Sequence, residues 1–141
     1  MKALLISAVL AGALALPAAA QQVAASAGPA VTKFDGATHA EYFGDPMEWA
    51  RFQMVVTTQE FREIRQGTEK DTRARLVDGY LVVTGCLVRA CTTTRAGLAV
   101  EVETGKGMAV IWQRDREPRI FGAATGELPR PLADLAESGA L

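Results

Sequence analysis

From residue 72 to residue 121 the chain reads as short strands joined by tight turns, and that pattern leaves few folds open. Arg73-Ala74-Arg75-Leu76-Val77 alternates, Asp78-Gly79 is a strong hairpin pair, and Tyr80-Leu81-Val82-Val83-Thr84 follows directly. Tyr80 to Val83 is apolar on both faces, which suits a central strand covered by a helix. A second alternating run covers Gly97 to Glu103, with Leu98, Val100 and Val102 on one face and Glu101 and Glu103 on the other. Thr104-Gly105-Lys106-Gly107 turns the chain into Met108-Ala109-Val110-Ile111-Trp112. Asp115 to Pro118 makes the next turn, into the short edge strand Arg119-Ile120-Phe121.

Helical spacing lies on either side of this block. Asp45-Pro46-Met47-Glu48 is a helix start, with Asp45 as cap and Pro46 at the first helical position; Met47, Ala50 and Met54 fall near helical spacing. Thr57-Thr58-Gln59-Glu60 is a second capping-box pattern, Phe61 and Ile64 share a face, and Gly67 is placed to end the helix. The pattern leaves open whether 46–66 is one helix or two with an extended break at Met54-Val55-Val56. Leu128 to Ala136 reads as a closing helix, with Pro129 and Pro131 confined to its first turn. Helices, then hairpin-linked strands, then a helix predict an α+β fold: an antiparallel sheet of about five strands, the N-terminal helix or helices packed on one face, and a short C-terminal helix.

The first 20 residues have the three parts of a secretory signal. Lys2 is the positive end, Ala3 to Leu16 the apolar stretch, and Ala18-Ala19-Ala20 the small-residue cleavage site. The apolar stretch is shorter than the roughly 20 residues a membrane span needs, and no cysteine stands at the cleavage point. The reading is a periplasmic protein without a membrane anchor. Residues 21–38, rich in Ala, Gly, Ser and Gln, are expected to be a flexible leader, and 39–141 a single domain.

Composition excludes several chemistries. Fifteen basic residues against 16 acidic ones supply no basic patch for nucleic acid. There is one histidine, His39, and after the signal the only serines are Ser26 and Ser138, so a Ser-His-Asp triad has no raw material. One histidine and a disulfide do not make a zinc site, and Gly105-Lys106-Gly107 is only a fragment of a phosphate cradle; no metal or cofactor is expected. Glu101 and Glu103 would lie about 7 Å apart on one strand face, more in keeping with a wet surface than with a glycosidase pair. His39 reads as a surface histidine, Trp49 and Trp112 as packing residues, and Arg114, Arg116 and Arg119 as a solvated hairpin end.

Cys86 and Cys91 are the only cysteines, five positions apart in a chain expected to be exported, and a disulfide between them is expected. The ring would turn Leu87-Val88-Arg89-Ala90 into a stiff loop at a strand end. A loop fixed in advance loses little freedom on docking, so its apolar pair and its guanidinium are suited to binding a partner.

The run Tyr80-Leu81-Val82-Val83-Thr84-Gly85-Cys86-Leu87-Val88-Arg89-Ala90-Cys91, followed by Gly97-Leu98-Ala99-Val100-Glu101-Val102, resembles the inhibitor of vertebrate lysozyme family. The resemblance covers roughly residues 76–112. It implies an exported, non-enzymatic protein with a central antiparallel sheet and a protruding C-x4-C loop that enters the lysozyme cleft. The typical loop of that family reads Cys-Lys-Pro-His-Asp-Cys, and its histidine contacts the lysozyme carboxylates. Here Leu87, Val88 and Ala90 replace the lysine, proline and aspartate, and Arg89 stands at the histidine position. The expected function is therefore a lysozyme-inhibitor-like protein whose partner is a lysozyme or another envelope protein. The alternative is a periplasmic structural or adaptor domain of the same fold with a different partner. A small hydrolase using Glu101 is the third reading.

Overall fold

The computed structural model describes residues 31–141. The expected signal of residues 1–20 and the first ten residues of the expected leader lie outside them. Among the described residues, after a helical end at 31–32, come three short helices: α1 (His39–Phe43), α2 (Pro46–Phe52) and α3 (Thr58–Gly67). Five strands follow: β1 (Lys70–Val77), β2 (Tyr80–Cys86), β3 (Thr94–Glu101), β4 (Gly107–Gln113) and β5 (Arg119–Phe121). A single turn of 3-10 helix (Thr125–Glu127) leads into α4 (Arg130–Ser138). Every neighbouring strand pair is antiparallel and the order in the sheet is the order in the chain, a meander. The expected α+β class is what the chain forms.

The sheet is covered on both sides, which accounts for β2 being apolar on both faces. Leu81, Val83, Leu98, Val100, Ala109 and Ile111 point towards the N-terminal helices and pack with Tyr42, Phe52 and Ile64. Val82, Ala99, Met108 and Val110 point the other way and pack with Leu132 and Leu135 of α4. Helix α3 lies close on β3: a methyl group added at Gly67 would sit 2.7 Å from Cβ of Ala96. The β1–β2 hairpin is the one Asp78-Gly79 predicts, with both residues at positive φ (48° and 83°), as a type I′ turn requires.

The 46–66 region is two helices. Helix α2 stops at Phe52, whose carbonyl accepts from the amides of both Val55 and Val56, and Thr57 then caps α3 in a capping box with Glu60. The face of α2 differs from the expected one. Met47 and Met54 are 67% and 96% exposed, whereas Glu48 and Phe52 are buried. The carboxylate of Glu48 is held inside because Tyr42 Oη donates to Oε2 at 2.7 Å and Arg51 Nη2 donates to Oε1 at 3.3 Å. A buried acid held by polar partners carries no hydrophobic signal in the sequence.

Three further expectations are corrected. The leader does not extend to residue 38: Val31 and Phe34 are core residues, and the Phe34 ring packs edge-on against Tyr42. The same segment lies along the outer edge of β1, where Gly36 N–H donates to the Ala74 carbonyl (2.8 Å) and Leu76 N–H donates to Asp35 Oδ1 (3.0 Å). The packed domain therefore includes residues 31–38. Strand β3 ends at Glu101, and Glu103 lies in the turn beyond it, so the two carboxylates do not share a strand face. His39, read as a surface histidine, is half-buried and opens α1; its Nε2 lies 2.8 Å from the Arg65 carbonyl and its ring rests on Phe43.

Candidate functional site

The β2–β3 connection is the stapled loop. Cys86 and Cys91 are joined by a disulfide across a Cα separation of 4.8 Å. Cys86 is the last residue of β2 and is buried; Cys91 is half-buried. Between them Leu87 to Ala90 form a four-residue turn closed by Ala90 N–H donating to the Leu87 carbonyl at 3.0 Å. Arg89 takes φ 66° at the third position, the left-handed residue of a type II turn.

Hydrogen bonds fasten the rest of the loop to the sheet. Leu87 N–H donates to the Thr94 carbonyl (3.1 Å), and the Ala90 carbonyl accepts from Thr93 and Thr94 N–H (3.0 and 2.8 Å) and from Thr93 Oγ1 (3.2 Å). Arg95 on β3 reaches back, its Nε donating to the Cys91 carbonyl at 2.8 Å and its Nη1 to the Gly139 carbonyl. The Arg114 amide donates to the Thr93 carbonyl at 2.9 Å. Backbone and disulfide together hold the loop, so its tip does not have to be ordered when something binds it.

The four predicted tip residues differ in what they present. Val88 is 44% exposed and Arg89 is exposed; Leu87 and Ala90 are half-buried. The guanidinium of Arg89 has no hydrogen-bond or ion-pair partner among the described residues. Its five donors are free for an external acceptor.

Comparison with protein-family models, with curated proteins and with solved structures finds no match to this chain. Its site is therefore read from its own chemistry.

Beside the tip lies a groove of about 480 Å³, on the face of the sheet that α3 covers. Leu87 and Ile111 supply its apolar lining; Glu63 and Gln66 of α3, Gln113 of β4, and Arg116, Glu117 and Arg119 of the β4–β5 corner supply its polar rim. Arg119 Nη2 donates to Glu63 Oε2, and this guanidinium bond holds the Glu63 carboxyl below the usual carboxylate range. Arg119 is thus tied to α3 instead of belonging to a freely solvated hairpin end. Arg116 and Glu117 line the groove without an ion pair among the described residues. Sequence reading did not bring these groups together because Glu63 and Arg119 stand 56 positions apart. Only the sheet register, with Arg119 opposite Ile111, places Arg119 at the α3 face.

The surface thus assembled offers an apolar pair, free cations, one free carboxylate and two amide side chains around a preset tip. Groups of these kinds are chemically able to bind by packing and charge-assisted hydrogen bonds. The buried Tyr42 hydroxyl, pushed well above its usual pKa by burial and by the Glu48 charge, belongs to the core beneath α1 and α2 and not to this surface.

Proposed function

We propose that this protein is an exported binding protein of the lysozyme-inhibitor type, whose stapled tip Leu87–Ala90 enters the cleft of a target enzyme. The observation that carries the reading is the state of Arg89: exposed, unpaired among the described residues, and set at the apex of a covalently closed turn. A guanidinium in that setting pairs bidentately with carboxylates, and the cleft of a glycosidase presents two. Val88 would pack beside it, and the groove lined by Gln66, Gln113 and Arg116 would receive the rim of the cleft.

The test is inhibition of c-type lysozymes by the purified oxidised protein. The expected result is inhibition at micromolar protein or below, weakened by about 2 kcal/mol or more in Arg89→Ala if Arg89 is a hot spot. Absence of inhibition across several lysozyme classes would overturn the reading. A second reading, an envelope adaptor domain with another partner, draws support from the tip sequence, where Leu87, Val88, Arg89 and Ala90 depart from the lysozyme-binding loop at every position. Pull-down from envelope extract, with Arg116→Ala as well as Arg89→Ala as bait, distinguishes the two: an adaptor would retain a partner that is not a lysozyme.

A further inference from the structure

Next to the disulfide, at the start of β1, stands Asp71. It occupies the irregularity in β1 between Lys70 and Arg73, in the left-handed region at φ 58°. Its Oδ2 lies 3.8 Å from Cys86 Sγ, and the Lys70 carbonyl oxygen lies 3.6 Å from the same sulfur. A carboxylate oxygen of Asp71 and the sulfurs of Cys86 and Cys91 all fall within 4.8 Å of one another. Asp71 makes none of the ion pairs found among the described residues. With the disulfide closed, neither sulfur is a thiolate and the cluster has no use for that carboxylate.

We propose that opening the disulfide converts Asp71, Cys86 and Cys91 into a binding site for a zinc-class cation, with two thiolates and one carboxylate as ligands. Tetrahedral zinc with Zn–S bonds of about 2.3 Å sets its sulfurs about 3.8 Å apart, so the two bonded sulfurs separate on reduction, with the Asp71 carboxylate no more than 4.8 Å from either. The loop hydrogen bonds from Leu87, Thr93, Thr94 and Arg95 do not involve sulfur, so the two cysteines stay close once the S–S bond is gone. Two thiolates select soft and borderline cations over magnesium or calcium. The exposed position of Asp71 leaves the fourth coordination position to water.

The redox step balances with a dithiol as reductant. Its two sulfurs join into a disulfide and give up two electrons and two protons, which convert the protein disulfide into two thiols. The cation then displaces both thiol protons. The consequence is a loop stapled in either redox state: by a covalent bond when oxidised, by a metal when reduced. This inference does not depend on what the tip binds.

The experiment is anaerobic titration of the reduced, purified chain with cobalt(II) after the reductant is removed. The expected result is one cobalt per chain, a thiolate-to-cobalt charge-transfer absorption, and its loss on adding zinc(II). Asp71→Asn, which keeps a residue tolerant of positive φ, should weaken cobalt binding at least tenfold, a loss that even supporting partners of metal ligands produce. Cys91→Ser should remove the absorption. The proposal is overturned by any of four results: no absorption from the reduced chain, equal affinity in Asp71→Asn, equal binding by the oxidised chain, or a reduced chain whose circular dichroism is lost and does not return with cobalt. Lysozyme inhibition by the oxidised form is a separate readout that none of these results alters.

Discussion

Tyr42 donates a 2.7 Å hydrogen bond to Glu48, and both side chains are closed off from water. The bond joins α1 to α2, and Arg51 extends it by donating to Glu48 and, through Nη1, to the Gly105 carbonyl in the β3–β4 turn. Removing the hydroxyl leaves a buried carboxylate short of one donor. Tyr42→Phe should therefore cost about 1.5–3 kcal/mol, the range for hydrogen bonds to charged groups. Urea unfolding checks it through a fall in the midpoint at unchanged slope.

The same tyrosine gives the stability a dependence on alkaline pH. Burial, reinforced by the Glu48 charge, raises its pKa well above the ordinary value of 10.0. The folded state then keeps a proton that the unfolded chain releases. The contribution is whole below pH 10 and is lost as pH rises beyond it. Thermal unfolding followed between pH 8 and pH 11 should show the loss in the wild type, and a flatter profile in Tyr42→Phe.

The Glu63–Arg119 pair gives an acid-side counterpart of smaller size. The Arg119 hydrogen bond lowers the Glu63 pKa below the ordinary 4.5, so the pair stabilises above that value and its contribution fades as pH falls through the lowered one. Both side chains are partly solvated, and Arg119→Ala should cost no more than about 1 kcal/mol at neutral pH. Denaturant midpoints of the variant and the wild type should converge as pH drops below 4.

Gly139 ends α4 at φ 68° against the Trp112 indole, where an added Cβ would meet ring carbons at 2.6–2.8 Å. Gly139→Ala combines a disfavoured backbone with overpacking of a flat ring, a cost of about 2 kcal/mol or more. A lowered denaturation midpoint with shifted tryptophan emission is the expected observation. Unchanged emission would mean that the helix end moves instead of the indole.

Arg89 offers a separation of binding from folding. Its positive φ is a conformation glycine adopts at less cost, and its side chain contributes nothing to the loop's hydrogen bonds. Arg89→Gly should leave stability within about 1 kcal/mol of the wild type, or raise it, while abolishing the lysozyme inhibition proposed above. A marked loss of stability would show that the side chain serves the fold.

Opening the disulfide should cost about 2 kcal/mol for a ring of this size on the chain-entropy view. Chemical denaturation with and without a reductant measures it directly. The loop's own hydrogen bonds, from Leu87, Ala90, Thr93 and Thr94, predict that the sheet survives the loss.

Features that depend on near neighbours are legible in the sequence. Asp78-Gly79 marks a turn, Thr57 and Glu60 mark a helix start, and Cys86 and Cys91 mark a ring, because each acts over a few residues. Features that depend on how the elements pack together are not. Glu48 looks like a surface acid until Tyr42 and Arg51 close around it. Val31 and Phe34 sit in a stretch whose Ala, Gly and Ser content suggests a leader, yet they fill the core. The groove likewise depends on the sheet register for joining α3 to the β4–β5 corner, and the setting of Asp71 depends on an irregularity in β1. The tip was readable as a position; its surroundings were not.

The segment along the outer side of β1 limits how another molecule can engage this one. Gly36 and Asp35 already occupy the outward-facing groups of Ala74 and Leu76, and the opposite border of the sheet, β5, is only three residues long. Neither border offers the long open backbone on which a foreign chain could add itself as a further strand. A partner of the proposed kind would be met by side chains at the loop end, where a single substitution would redirect its choice without disturbing the scaffold.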